Sequence, residues 1–207
     1  NTHQPVIIFL ACSNNSTGNL FDLDAVERIA KAAHGLVVVD EAYTAFSRES
    51  FLSRMGRHPN VVLMRTLSKL GLAGLRVGYL TGTADWLQEF EKVRLPYNIN
   101  VLTQTAARFA LEHIEVLNGQ ARTLVAERTA LHAALAAVPG VTVYPSEANF
   151  LLFRVGDAEG VFTRLKSRKI LVKNVSRAHP LLAGCLRVSL GTPAETAAFM
   201  DALRASL

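Results

Sequence analysis

No stretch of this sequence is apolar for long enough to cross a bilayer. The longest apolar runs, Pro5–Cys12 and Leu36–Val39, fall far short of the about 20 residues a spanning helix needs. No basic segment leading into an apolar core and a small-residue cleavage site opens the chain, so nothing marks it for secretion. Cysteine is scarce: Cys12 and Cys185 make no disulfide framework and lack metal-type spacing, which fits a reducing cytoplasm. The histidines at 3, 34, 58, 113, 132 and 179 stand alone, with no HxH or HxxxH pairing, and no metal is expected. Runs of one charge are also missing. The 22 Lys and Arg are scattered among 17 acids without aromatic interleaving, whereas a nucleic-acid face should show clustered charge. Anionic small molecules explain the net charge of +5 better. There are no repeats or low-complexity segments.

What is present is an ordinary globular composition, half apolar and about a fifth charged, over 207 residues. That suffices for one large domain or a domain and a half. The first hundred residues alternate between two periods. Pro5–Cys12 reads as a strand buried on both faces, and Asp22–His34 as a helix with Val26, Ile29, Ala30 and Ala33 on one face, stopped by Gly35. Leu36–Val39 and Val61–Met64 read as further buried strands, with Val77–Leu80 a fourth. Strands alternating with helices imply βαβ units and a mostly parallel sheet.

The second half changes character. Asn100–Glu112 and Leu117–Val138 read as helices, the latter long and amphipathic, with Arg128 interrupting its apolar stripe. Short strands follow at Val141–Tyr144, Phe150–Val155, Leu171–Val172 and Leu186–Leu190, between helices near 157–168 and 194–205. This α+β pattern places a domain boundary near 115–138. The chain opens directly on a strand and has no initiator Met, as a piece of something longer would.

In open α/β sheets ligands bind past the C-terminal ends of the strands. Here those positions carry Ser13–Gly18, then Asp40-Glu41-Ala42-Tyr43, then Arg65-Thr66-Leu67-Ser68-Lys69. A lysine beside small hydroxyls, with Arg76 following, suits an anionic cofactor held covalently through an amine. Separately each feature is ordinary. Asp40 could be a cap or turn residue, Ser68-Lys69 a solvated pair, Arg76 a surface ion pair, and Asn15 part of an Asx turn. Their joint order is what points to chemistry.

That order resembles the class I/II aminotransferases, which are fold-type I enzymes dependent on pyridoxal 5'-phosphate (PLP). The resemblance runs through FLACSNNSTGNLF (9–21), VVVDEAYTAF (37–46), MRTLSKLGLAGLRVGYL (64–80), PYNIN (96–100), EANFLLFR (147–154) and GCLRVSLGTPAE (184–195). The last two favour the histidinol-phosphate branch. The resemblance implies an α/β fold: a three-layer, mostly parallel sheet in a partial large PLP-binding domain (1–115), and a small α+β domain (116–207) led by a long interdomain helix. It implies Lys69 as the lysine that holds the cofactor and moves the proton, and Asp40 as the partner of the pyridine nitrogen. Tyr43 and Asn15 match the pair on the ring oxygen, and Thr66, Ser68 and Arg76 the phosphate cradle. Arg187 matches the arginine that grips the substrate anion, Lys173 lies where relatives often carry a second one, and Tyr97 and Asn149 sit in motifs near the site.

The implied reaction is L-histidinol phosphate plus 2-oxoglutarate to imidazole acetol phosphate plus glutamate, in a cytoplasmic homodimer. Aromatic transamination and threonine-phosphate decarboxylation share most of these residues, so they remain open. Two departures stand out. Serines 13 and 16 replace family prolines. A non-proline cis bond costs about 2.5–4 kcal/mol, so the Asn15–Ser16 bond, cis in the family, is expected to be trans. Relatives also carry about 140 further residues before this point, in keeping with two-domain chains. They complete the cofactor site, so a chain of this extent alone is expected to be inactive.

Overall fold

The computed structural model describes residues 3–207. These divide into two compact units: one running to Ser13 and resuming at Leu20–Gly119, the other comprising Asn14–Asn19 and Gln120–Leu207. Among the described residues no helix is long and apolar enough to cross a membrane.

The first unit is built on four strands in spatial order β1 (Ile7–Ala11), β2 (Leu36–Asp40), β3 (Val61–Thr66), β4 (Gly78–Thr81). The first three run parallel, while β4 runs antiparallel to β3. The β3–β4 connection, residues 67–77, is too short for the helical crossover that parallel pairing demands. Helix α1 (Leu23–Ala32) starts at Asp22, whose carboxylate accepts from the Asp24 N–H. It buries Leu23, Val26 and Ala30 against Val37, Val39, Val61 and Leu63, with Phe51, just ahead of the one-turn α2 (Leu52–Met55), closing the same core. The opposite face packs Leu36, Val38 and Val62 against Trp86 and Phe90 of α3 (Ala84–Val93), a helix the sequence reading passed over. Helix α4 (Val101–Glu112) follows, capped by the Asn100 side chain.

Two expectations need correction here. Burial on both faces holds for β2 but not for β1, which lies at the sheet edge and leaves Ile7 and Phe9 largely exposed. Gly35 does not end α1, whose C-cap is Ala33. A β-carbon at Gly35 would lie 2.0 Å from the Val6 carbonyl oxygen, so glycine is required there by close approach of β1.

Helix α5 (Ile114–Ala136) leads into the second unit. Its sheet is antiparallel throughout, in the order β5 (Thr142–Val143), β6 (Phe150–Arg154), β8 (Cys185–Ser189), β7 (Lys173–Asn174). Leu131 and Leu135 of α5, Val161 and Leu165 of α6 (Ala158–Ser167), and Phe199 and Leu203 of α7 (Pro193–Arg204) bury Leu151, Phe153, Leu186 and Val188. The Arg128 interruption also has its reason: the guanidinium reaches the Ala148 carbonyl at 3.0 Å and stands 3.7 Å from Glu147. The strand expected at Leu171–Val172 lies two residues later, because Leu171 points into solvent and pairing begins at Lys173.

Candidate active site

Parallel register aligns Ala11, Asp40 and Met64, so the residues after them leave the sheet at one edge. Asp40 ends β2. One carboxylate oxygen accepts the Ala42 N–H at 2.9 Å, turning the chain so that Tyr43 is buried. After β3, Thr66 Oγ1 accepts the Ser68 N–H at 3.0 Å and lies 2.9 Å from Ser68 Oγ. This folds 68–70 into a single 3-10 turn, closed by Gly71 at φ +85. Lys69 on that turn brings Nζ to 5.1 Å from the centre of the Tyr43 ring, a cation–π approach. The first unit thus brings Asp40, Tyr43, Thr66, Ser68 and Lys69 to one edge. Arg76, in the left-handed conformation at φ 54, closes the next 3-10 turn, and its guanidinium donates to the Ala73 carbonyl at 3.1 Å. A cavity of about 800 Å³ opens beside these strand ends, lined by Asp40, Arg65, Thr66, Tyr79 and Phe90.

The edge is electronegative where β2 ends. The Cys12 thiol is pushed up to about 11, first by burial, against a lowering by the Phe21 backbone hydrogen bond, with lesser raising contributions from the charges of Glu41 and Asp40.

Glu41, between Asp40 and Tyr43, was not singled out in the sequence. It is buried and accepts from Phe51 N–H at 2.6 Å, Ser50 Oγ at 2.9 Å, and Arg65 Nε and Nη2 at 3.0 and 2.7 Å. The available signal was an acid directly after Asp40 matched by an arginine directly before Thr66.

The second unit holds its own cluster. The Asn14–Asn19 turn is closed by Asn14 N–H on Asn19 O (3.0 Å) and Gly18 N–H on Asn14 O (2.8 Å), and it docks through Glu147 N–H on Gly18 O (2.7 Å). Gly18 adopts φ +79, with Ser146 Oγ only 2.5 Å from where a β-carbon would sit. The Asn15–Ser16 bond is trans, and the cis bond among the described residues is Cys12–Ser13. Asn15 Oδ1 accepts from Arg187 Nη1 at 2.7 Å, and the Arg187 guanidinium stacks on Phe150 at 4.5 Å. Arg187 Nε is buried with no acceptor among the described residues. Lys173 is the direct cross-strand neighbour of Arg187. Asn149 is fixed through its carbonyl, which accepts from Leu190 N–H. Tyr97, in the first unit, has φ 56 and is 97% exposed.

A mixed sheet carrying a lysine turn past one parallel strand and an acid at the end of the next is the framework of fold-type I transferases. The chain belongs to the aminotransferase class I and II family, which it matches over residues 1–203. It is 56% identical to histidinol-phosphate aminotransferase 1 of Ralstonia nicotianae over 99% of the chain and 56% of that protein. Among solved structures it resembles histidinol-phosphate aminotransferase from Sinorhizobium meliloti in complex with pyridoxal-5'-phosphate (28% identity, TM-score 0.84, 97% of this chain and 57% of that one). It also resembles L-threonine-O-3-phosphate decarboxylase from Porphyromonas gingivalis (26% identity, TM-score 0.83, 96% and 63%). The chain therefore spans a little over half the length of the curated relatives it matches.

Proposed function

We propose that the full-length protein carrying this sequence is a PLP-dependent transaminase acting on L-histidinol phosphate and 2-oxoglutarate. The Lys69 amine beside Tyr43, on the edge that bears Asp40, carries the reading. The residues fit the cofactor on three counts. Lys69 has no acidic partner among the described residues, one Asp40 oxygen remains open, and Thr66 and Ser68 present paired hydroxyls on one turn.

PLP, when bound, supplies an electron sink for the electrons of a broken Cα–H bond. Lys69 would hold the cofactor through its amine and would be the base that moves the substrate's Cα proton. The Asp40 carboxylate keeps the pyridine nitrogen protonated. Tyr43 donates to the ring oxygen, and Asn15 is the second candidate for that contact, although its Oδ1 here serves Arg187. Thr66, Ser68 and Arg76 receive the cofactor phosphate. Arg187 and Lys173 take the substrate anion, phosphate in one half-reaction and carboxylate in the other, with Asn149 close by in sequence to Phe150 beneath Arg187. In this reading residues 1–115 belong to the cofactor domain and 116–207 to the small domain. Family likeness supports a homodimer, and two buried free cysteines support a cytoplasmic location.

The test is optical and kinetic. The full-length protein given PLP should show a visible absorption band that Lys69→Ala abolishes, and should turn over histidinol phosphate faster than phenylalanine. Faster phenylalanine turnover would reassign the donor. The likeness to the phosphothreonine decarboxylase raises a second reading, which requires CO₂ release from O-phosphothreonine.

A further inference from the structure

Glu41 and Arg65 form an ion pair at the two strand ends that carry the proposed chemistry, with side chains only 3% and 16% exposed. Glu41 directly follows Asp40, and Arg65 directly precedes Thr66. The carboxylate is saturated: Phe51 N–H and Ser50 Oγ approach from the loop before α2, and the Arg65 fork from β3. Arg65 Nη2 also reaches Ser50 Oγ at 2.8 Å. The turn after β2 is thereby tied to the start of the turn after β3, across the gap over which Lys69 meets Tyr43.

We propose that the Glu41–Arg65 pair is a positioning element that locks the Asp40–Tyr43 turn to the Thr66–Lys69 turn and, being neutral as a pair, leaves Asp40 to set the field at the Lys69 amine. The proposal rests on the reading of Lys69 as the reacting amine. The other charged or titratable groups facing this edge are Cys12 after β1, Tyr79 on β4, Arg76 beyond the lysine turn, and Glu91 and Arg94 of the α3 region, which pair with each other. Breaking the clasp from either side leaves one buried, poorly screened charge. As a general scale, a unit charge acting across roughly 10 Å at an effective dielectric near 20 moves an amine by about one pKa unit.

The experiment uses the full-length protein. The Lys69 pKa is read by competitive acetic anhydride labelling and mass spectrometry without cofactor, and the pH midpoint of the visible band is read with PLP bound. Glu41→Gln leaves Arg65 uncompensated and should lower the Lys69 pKa by about one unit, whereas Arg65→Met leaves Glu41 uncompensated and should raise it. The double variant should return it to the starting value, and Arg65→Lys, which keeps the charge, should leave it in place. A pair that serves stability alone predicts lower Tm with no change of pKa. Single variants that shift the pKa in the same sense, or not at all, overturn the proposal. If one single variant does not fold, the other compared with the double decides. Loss of the lysine-dependent band in the unmutated protein would overturn the transaminase reading, while the cofactor-free labelling still judges the clasp.

Discussion

Arg187 and Lys173 sit opposite one another on β8 and β7, with side chains on the same face of the sheet. Like charges directly opposite weaken a strand pair, so this arrangement calls for an anion. Asn15 and Phe150 orient the guanidinium from one side. Arg187→Lys keeps the charge and loses the planar fork. It should raise KM for histidinol phosphate by roughly 10–100-fold with little change in kcat, because the contact serves bound substrate and transition state alike. Lys173→Met should raise KM by about 10-fold and reduce its salt dependence, since a point charge on an exposed strand is screened. Steady-state kinetics on the full-length protein at two ionic strengths checks both, and a fall in kcat at unchanged KM would contradict the binding role. In the sequence Lys173 and Arg187 stand 14 positions apart (187 − 173), with no local pattern to mark them as neighbours. The intervening loop bends back through the 3-10 turn Pro180–Leu182, and only strand pairing reveals the two cations as neighbours.

At the level of elements, the strands with strong apolar runs and the helices with clear periodicity were legible, because burial imposes those patterns directly. β2, α1 and α7 are examples, and the structure closes the start of α7 with a capping box between Thr192 and Glu195. Helix α3 was not, since the Trp86 and Phe90 that pack on the sheet are interleaved with Asp85, Gln88, Glu89, Glu91 and Lys92 over a short ten-residue span. The Lys69 turn was legible as a motif, but its Glu41–Arg65 support was not, because that contact joins two strands and leaves no local periodicity.

One inter-element contact set has a clear pH signature. Glu27 of α1 is held down to about 2 from an ordinary 4.5, first by the hydrogen bond from Lys31 and further by Arg54 and His58. His58 Nε2 stands 3.3 Å from the Glu27 carboxylate. The folded pKa is depressed, so the stabilisation is fully present above about 4.5 and is lost as pH falls toward about 2. Glu27→Gln should therefore lower Tm at pH 7 and converge with the parent near pH 2. Thermal melts across that range would show parallel curves if Glu27 were unlinked to folding. In the same unit, Gly35→Ala drives a β-carbon into the Val6 carbonyl and should cost about 1–3 kcal/mol in urea melts.

For the molecule as a whole, the open edge of the first sheet matters most. Among the described residues β1 pairs only with β2, and Val6 and Phe9 are 79% and 67% exposed beside Ile7. Within Ile7–Ala11 the strand carries no charged side chain or proline, two of the usual protections against strand addition, and Pro5 stands just before it. A second apolar run, Val93, Leu95, Val101 and Leu102, is also exposed in this unit. Monomers seldom leave such contiguous apolar area in water, and the relatives this chain matches are almost twice its length. The 207-residue polypeptide made alone should bind the dye ANS strongly and associate with rising concentration. Phe9→Lys places a charge on the open face of β1 without touching the core side formed by Ile8 and Leu10. It should therefore cut dye binding and shift the sedimentation profile toward monomer while the far-ultraviolet spectrum is preserved. A polypeptide that sediments as a monomer before substitution, with no dye signal, would show that this edge is not adhesive.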